Sequence, residues 1–140
     1  MDLTQTSATA LLSELRSGTC SSLELTRACL EQIERHDETI GAFLRVDAQG
    51  AIDRAKSIDQ QRAAGEPLGL LAGLPVAVKD ILCARGVPTT CGSRMLETFL
   101  PPYNATVIDR LEEAGAVLLG RTNMDEFGMG SSTENSAFQL

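Results

Sequence analysis

The chain has 140 residues, enough for one domain, or most of one, with a real core. Hydrophobic residues make up 43% and charged residues 22%, which excludes an intrinsically disordered chain. The formal net charge of −7, without clustered Lys or Arg, excludes a broad nucleic-acid surface; if the protein works on a nucleic acid, another part or another chain holds it.

The first half reads as helical scaffold. Ala8 to Arg16 carries apolar residues at helical spacing and stops at Gly18, a C′ glycine. Ser21 and Glu24 form a capping box for a helix through Leu25, Ala28, Cys29 and Ile33, expected to end near His36. His36 is the only histidine. At a helix end it reads first as a surface residue interacting with the helix dipole, which leaves a Ser-His-Asp triad without its histidine. Phe43 to Val46 is a short strand. Asp47 caps a third helix through Ile52, Ala55 and Ile58, ending near Gly65-Glu66-Pro67.

From Gly69 the pattern changes. A glycine-bearing turn leads into Leu74-Pro75-Val76-Ala77-Val78-Lys79-Asp80, an apolar, β-branched run typical of a buried parallel strand. A loop rich in Gly, Pro, Thr and Ser follows, from Cys83 to Pro102. Asn104 is placed to cap a helix over 105–114, Gly115 ends it, and Ala116 to Gly120 is a second apolar strand. Strand, crossover helix, strand is a βαβ unit, so the two strands should run parallel. Both then deliver their carboxyl ends, where ligands collect in such sheets, to one edge. That edge carries Lys79 and the polar run from Arg121 to Ser136.

Lys79 is either a solvated strand terminus or a catalytic amine. A lysine serves as general base only when its surroundings bring its pKa well below the reference of about 10.4. Strand alternation sends Asp80 to the opposite face, so it is no automatic ion-pair partner. The loop from Gly128 to Ser136 is either a polar turn with helix-capping serines or a substrate cradle of close-approach glycines, backbone N–H groups and hydroxyls. Asp125 and Glu126 read most simply as first-turn helix residues.

The four cysteines form no CxxC pair, and no metal set can be completed around the lone histidine. There is no basic segment followed by an apolar one at the start, and no apolar run long enough to span a bilayer. The expectation is a reducing cytoplasm, or an organellar matrix in a eukaryote, with free thiols mostly packed. Cys83 and Cys91, in the loop after the lysine strand, remain open as nucleophiles, although neither has a base nearby in sequence.

Three runs carry a resemblance: Gly73 to Asp80, Thr89-Thr90-Cys91-Gly92-Ser93, and Gly120 to Phe138. Together they resemble the amidase signature family, and the likeness covers essentially the whole chain. Residues 123–138 are most similar to the A subunits of glutamyl-tRNA(Gln)/aspartyl-tRNA(Asn) amidotransferases. The resemblance implies an α/β fold: N-terminal helices, then the first strands of a mixed, largely parallel sheet covered by helices. Residues 1–66 would be mainly helical scaffold and 67–140 the start of the catalytic sheet of a single amidase domain.

The resemblance also implies a Ser–cis-Ser–Lys amidase with Lys79 as the lysine. Met129, Gly130 and Ser131 would line the substrate pocket. The implied reaction is glutamine hydrolysis, whose ammonia passes to a partner subunit of a heterotrimer. That partner holds the tRNA and uses ATP and Mg, so no cofactor is bound by this chain, and no membrane is involved. The Gly-Gly-Ser-Ser-Gly-Gly-Ser motif and the later serine nucleophile are absent from these residues, and Ser131, Ser132 and Ser136 are not their equivalents. The expectation is therefore an N-terminal fragment, inactive alone, with an uncovered apolar sheet edge that lowers its stability. The alternatives are a stand-alone amide hydrolase of the same family or a non-catalytic truncated product.

Overall fold

The computed structural model describes residues 3–139; Met1, Asp2 and Leu140 lie outside the described residues. Helix α1 (Ala8–Ser17) starts at Ser7, whose hydroxyl accepts the Ala10 N–H, and stops at Gly18 with φ of 75°. Helix α2 (Ser22–Ile40) opens on the reciprocal capping box: Glu24 N–H donates to Ser21 Oγ at 3.1 Å, and Ser21 N–H donates to Glu24 Oε2 at 2.9 Å. Contrary to the expected end near His36, α2 runs on to Ile40, and Gly41 closes it with φ of 64°. The glycine supplies the left-handed turn that His36 cannot, so His36 is an exposed residue inside the helix rather than a cap at its end.

Strand β1 (Phe43–Val46) and helix α3 (Ala48–Ala63) follow as expected, and the Asp47 side chain caps α3 by accepting the Gly50 N–H. Strand β2 (Pro75–Lys79), helix α4 (Thr106–Glu113) and strand β3 (Val117–Thr122) form the βαβ unit. Its two strands are parallel, and β1 pairs antiparallel on the other side of β3, giving a mixed sheet of order β1-β3-β2. Strand β3 extends two residues beyond the apolar run, because Arg121 and Thr122 remain in register with β2. Asn104 does not cap α4. Ala105 occupies the N-cap, and the Asn104 side chain instead accepts the Arg85 N–H and donates to Asp109.

One core cluster packs Ala51, Ala55 and Ile58 of α3 against Val117, Leu119 and Ala72. The alanines at i and i+4 present a small face that lets helix and sheet approach. A second cluster joins Leu11, Leu15, Cys20 and Leu25 where α1 meets α2. Each buried Leu or Ile contributes about 1.5–3 kcal/mol of transfer free energy. Between the sheet strands, Gly120 is required by space: a Cβ there would sit 2.2 Å from the Arg45 carbonyl oxygen. These contacts fix the sheet edge on which the chemistry-bearing residues stand.

Candidate active site

Lys79 closes β2 opposite Thr122 of β3, so the parallel pairing brings the ends of both strands to one edge. Alternation then sorts the neighbours. Val78 and Asp80 are buried, whereas Lys79 is exposed on the other face. No ion pair among the described residues includes Lys79.

Asp80 instead builds the floor behind the lysine. Its Oδ2 accepts the Thr90 N–H at 2.8 Å and the Thr90 hydroxyl at 2.5 Å, and its carbonyl accepts the Cys91 N–H. Residues 90–93 are thereby fastened to the strand end. They in turn hold the segment after β3: Phe127 N–H donates to the Cys91 carbonyl, Ala137 N–H to the Gly92 carbonyl, and Ser93 Oγ to Glu126 Oε1 at 2.5 Å. Cys91 and Phe127 both have φ of 53°, so the clasp includes two non-glycine residues in the left-handed region.

Gly128, which leads into Met129, Gly130 and Ser131, lies against the segment that follows Lys79. A Cβ at Gly128 would contact Ile81 Cδ1 at 3.5 Å, two residues beyond the lysine. Gly130 and Ser131 are exposed, and Met129 is 82% exposed. The serines nearby are occupied in shaping the loop and cap no helix: Ser132 Oγ donates to Glu134, and Ser136 Oγ donates to Asn123 Oδ1 at 2.6 Å.

Sequence reasoning missed Asp125 and Glu126. They do stand at the start of a short 3-10 turn, Glu126–Gly128, but Asp125 makes no capping bond to it. Its carboxylate reaches forward to the N–H groups of Ser132, Thr133 and Asn135. Those donors, Asn135 first and then Thr133, hold the Asp125 carboxyl below the ordinary aspartate value against the opposing effect of burial. The available signal was an aspartate preceding a glycine- and serine-rich run whose backbone N–H groups lie outside any helix or strand.

The alternative nucleophile fares poorly. Burial first, and the Asp80 charge next, push the Cys91 thiol up, which disfavours thiolate. His36, exposed on α2, takes part in none of these contacts. Among the described residues no group of three or more His, Cys, Asp or Glu is gathered that could hold a metal ion. No helix among them is long and apolar enough to cross a membrane.

A cavity of about 530 Å³ lies apart from this edge, lined by Arg45, Arg54, Val78, Arg85, Leu118 and Arg121 among others. It includes neither Lys79 nor the loop. Arg121 donates to the Leu82 carbonyl through Nη1, but its Nη2 is buried without a partner. Burial holds the Arg121 guanidinium below the ordinary arginine value, an effect that Asp80 opposes.

The family model for amidases matches residues 24–140. The chain is 56% identical over 137 residues to the A subunit of the glutamyl-tRNA(Gln) amidotransferase of Salinispora tropica, and 51% identical over 139 residues to its counterpart in Chloroflexus aurantiacus. These alignments take in 98% and 99% of the chain but 28% of each relative, so the chain spans little more than a quarter of their length. Among solved structures, native peptide amidase from Stenotrophomonas maltophilia superposes with a TM-score of 0.80 at 33% identity, over 88% of this chain and 26% of that one. A bacterial aryl acylamidase of the amidase signature family gives 0.81 at 26% identity, over 87% and 26%. With its sheet edge, its clasped loops and its matching sequence, the chain belongs to the amidase family.

Proposed function

We propose that these residues supply the base and the substrate loop of a glutamine-hydrolysing amidase component of a tRNA-dependent amidotransferase. The observation that carries the reading is Lys79, exposed at the carboxyl end of β2 and in no ion pair among the described residues, with Gly128, which leads into Met129, Gly130 and Ser131, against Ile81 just beyond it. The 51–56% identity to proteins named as glutamyl-tRNA(Gln) amidotransferase A subunits supports the choice of biological context.

In the proposed mechanism Lys79 takes a proton from a bridging serine, which takes one from the nucleophilic serine; neither serine is assigned to a residue of this chain. The nucleophile attacks the glutamine side-chain amide, an acyl ester forms, and the C–N bond breaks as the returned proton leaves with ammonia. Water then cleaves the ester and releases glutamate. The ammonia passes to partner subunits, which hold the tRNA and use ATP and Mg; this chain binds no cofactor, and the assembly works in the cytoplasm or an organellar matrix.

The test is Lys79→Ala in the full-length protein purified with its partners. Glutamine-dependent transamidation should fall by at least about a thousandfold. Near-normal transamidation by a folded variant would defeat the assignment. A stand-alone amide hydrolase is the second reading, favoured by the superposition on peptide amidase. Hydrolysis that neither requires partner subunits nor feeds transamidation would select it.

A further inference from the structure

The loop that carries Met129, Gly130 and Ser131 belongs to no strand, and its only helical turn ends at Gly128, so its backbone donors must find acceptors elsewhere. One side chain takes three of them. Asp125 Oδ2 accepts the N–H groups of Ser132 at 3.2 Å and Thr133 at 3.0 Å, and Oδ1 accepts that of Asn135 at 2.9 Å. The residue is 5% exposed, and hydrogen bonds from N–H groups to a carboxylate are stronger than neutral ones.

Two further contacts close the frame. Glu126 N–H donates to the Asn135 carbonyl at 3.1 Å, and Thr133 is held with φ of 65°. Gly130 lies against the carboxylate so closely that a Cβ would stand 2.4 Å from Asp125 Cγ. The returning half of the loop is thus stapled to residues leading directly out of β3. The outgoing half, Met129 to Ser131, is exposed, as are Ser132, Glu134 and Asn135, and the N–H groups of Gly130 and Ser131, like those of Glu134 and Ser136, have no acceptor among the described residues.

We infer that Asp125 is a positioning residue for substrate binding: by collecting the donors of Ser132, Thr133 and Asn135 it shapes the loop and leaves those of Gly130 and Ser131 free for the polar end of an amide substrate. The inference rests on the reading of Met129, Gly130 and Ser131 as substrate-binding residues. It gives Asp125 no contact with the reacting atoms. Its loss should therefore weaken binding more than it slows the chemistry at Lys79.

Two readouts test it. In the full-length protein purified with its partners, Asp125→Asn should speed amide exchange at Ser132, Thr133 and Asn135 by about tenfold or more while β3 amides keep their protection. Gly130→Ala, which crowds the carboxylate without removing it, should do the same if Asp125→Asn does not fold. In the same protein, Asp125→Asn should raise KM for the amide by about tenfold, with a smaller change in kcat, whereas Gly130→Ala is read by exchange alone because Gly130 is itself assigned to substrate binding. Unchanged exchange in the folded variants would overturn the staple. Freed amides with an unchanged KM, or a loss confined to kcat, would overturn the positioning role. The Lys79→Ala protein measured alongside keeps the two ideas apart: hydrolysis surviving there removes the catalytic reading, while the exchange data still decide the staple.

Discussion

Asp80 points away from Lys79 and gives one carboxylate oxygen, Oδ2, to both the backbone N–H and the hydroxyl of Thr90, at 2.8 and 2.5 Å. Asp80 and Thr90 are buried, at 1% and 4% exposure. Adjacent residues of opposite charge therefore serve different ends, the aspartate fastening a loop and the lysine standing free at the edge. Removing one partner strands a buried polar group, which costs about 1–3 kcal/mol. Asp80→Ala, which leaves the Thr90 N–H and hydroxyl without their acceptor, and Thr90→Val should each lower stability by at least that amount, and the double variant by less than the sum. Equilibrium urea unfolding checks this; additive losses would show that the two side chains do not act on each other.

Gly92 sits where the two loops cross. Its φ is 68°, and a Cβ there would meet the Met124 carbonyl oxygen at 2.5 Å. Gly92→Ala therefore combines a left-handed backbone, costing about 1 kcal/mol for an L-residue, with overpacking of about 1–3 kcal/mol. The expected result is a fall in urea midpoint with an unchanged m-value, together with faster exchange at Phe127 and Ala137, whose N–H groups bind the 91–92 carbonyls. A neutral substitution would mean that residues 90–93 do not hold the later segment in place.

The parts legible in the sequence are those governed by neighbours along the chain. The Ser21–Glu24 capping box is local, the apolar runs of β2 and β3 declare themselves, and the crossover helix requires the strands to be parallel. What escaped is set by distant partners. Asp59 receives the N–H groups of Ser22 and Leu23, both at 2.9 Å, and so completes the start of α2 from 37 and 36 residues away. Arg62 joins it at 3.0 Å and also reaches the Ala72 carbonyl. At the candidate site the same distinction holds. Lys79 could be singled out from its strand, whereas Asp125 shows its role only when the loop folds back over it. Residue type alone suggests caps at His36 and Asn104, but Gly41 closes α2 further along the chain, and Arg85 and Asp109 engage the Asn104 side chain instead.

The cysteines offer a chemical check on the choice of base over thiol. Burial leads in raising the Cys20, Cys29 and Cys91 thiols above the ordinary value of 9.0, and Asp80 adds to the effect at Cys91. Thiolate is the reactive form, so all three should label slowly near pH 7, with a rate that climbs about tenfold per pH unit and does not level off until pH has passed 9.0. Iodoacetamide labelling followed by peptide mapping would measure it. Rapid, selective modification of Cys91 at neutral pH would reopen its case as a nucleophile.

Asp125 also sets an acid limit on the loop. Its folded pKa lies below the ordinary 3.8, chiefly through the N–H groups of Asn135 and Thr133. For a carboxyl group depressed on folding, the stabilisation is fully present above the unfolded value and is lost as pH falls through the folded one. The loop should therefore stay intact at pH 5, begin to weaken below 3.8, and release only where the folded carboxylate takes up its proton. Amide resonances of Ser132, Thr133 and Asn135 followed from pH 6 downward should shift together with one midpoint below 3.8, and Asp125→Asn should abolish that transition. A shared midpoint above 3.8 would mean that these donors do not favour the charged carboxylate, and the loop would need another anchor.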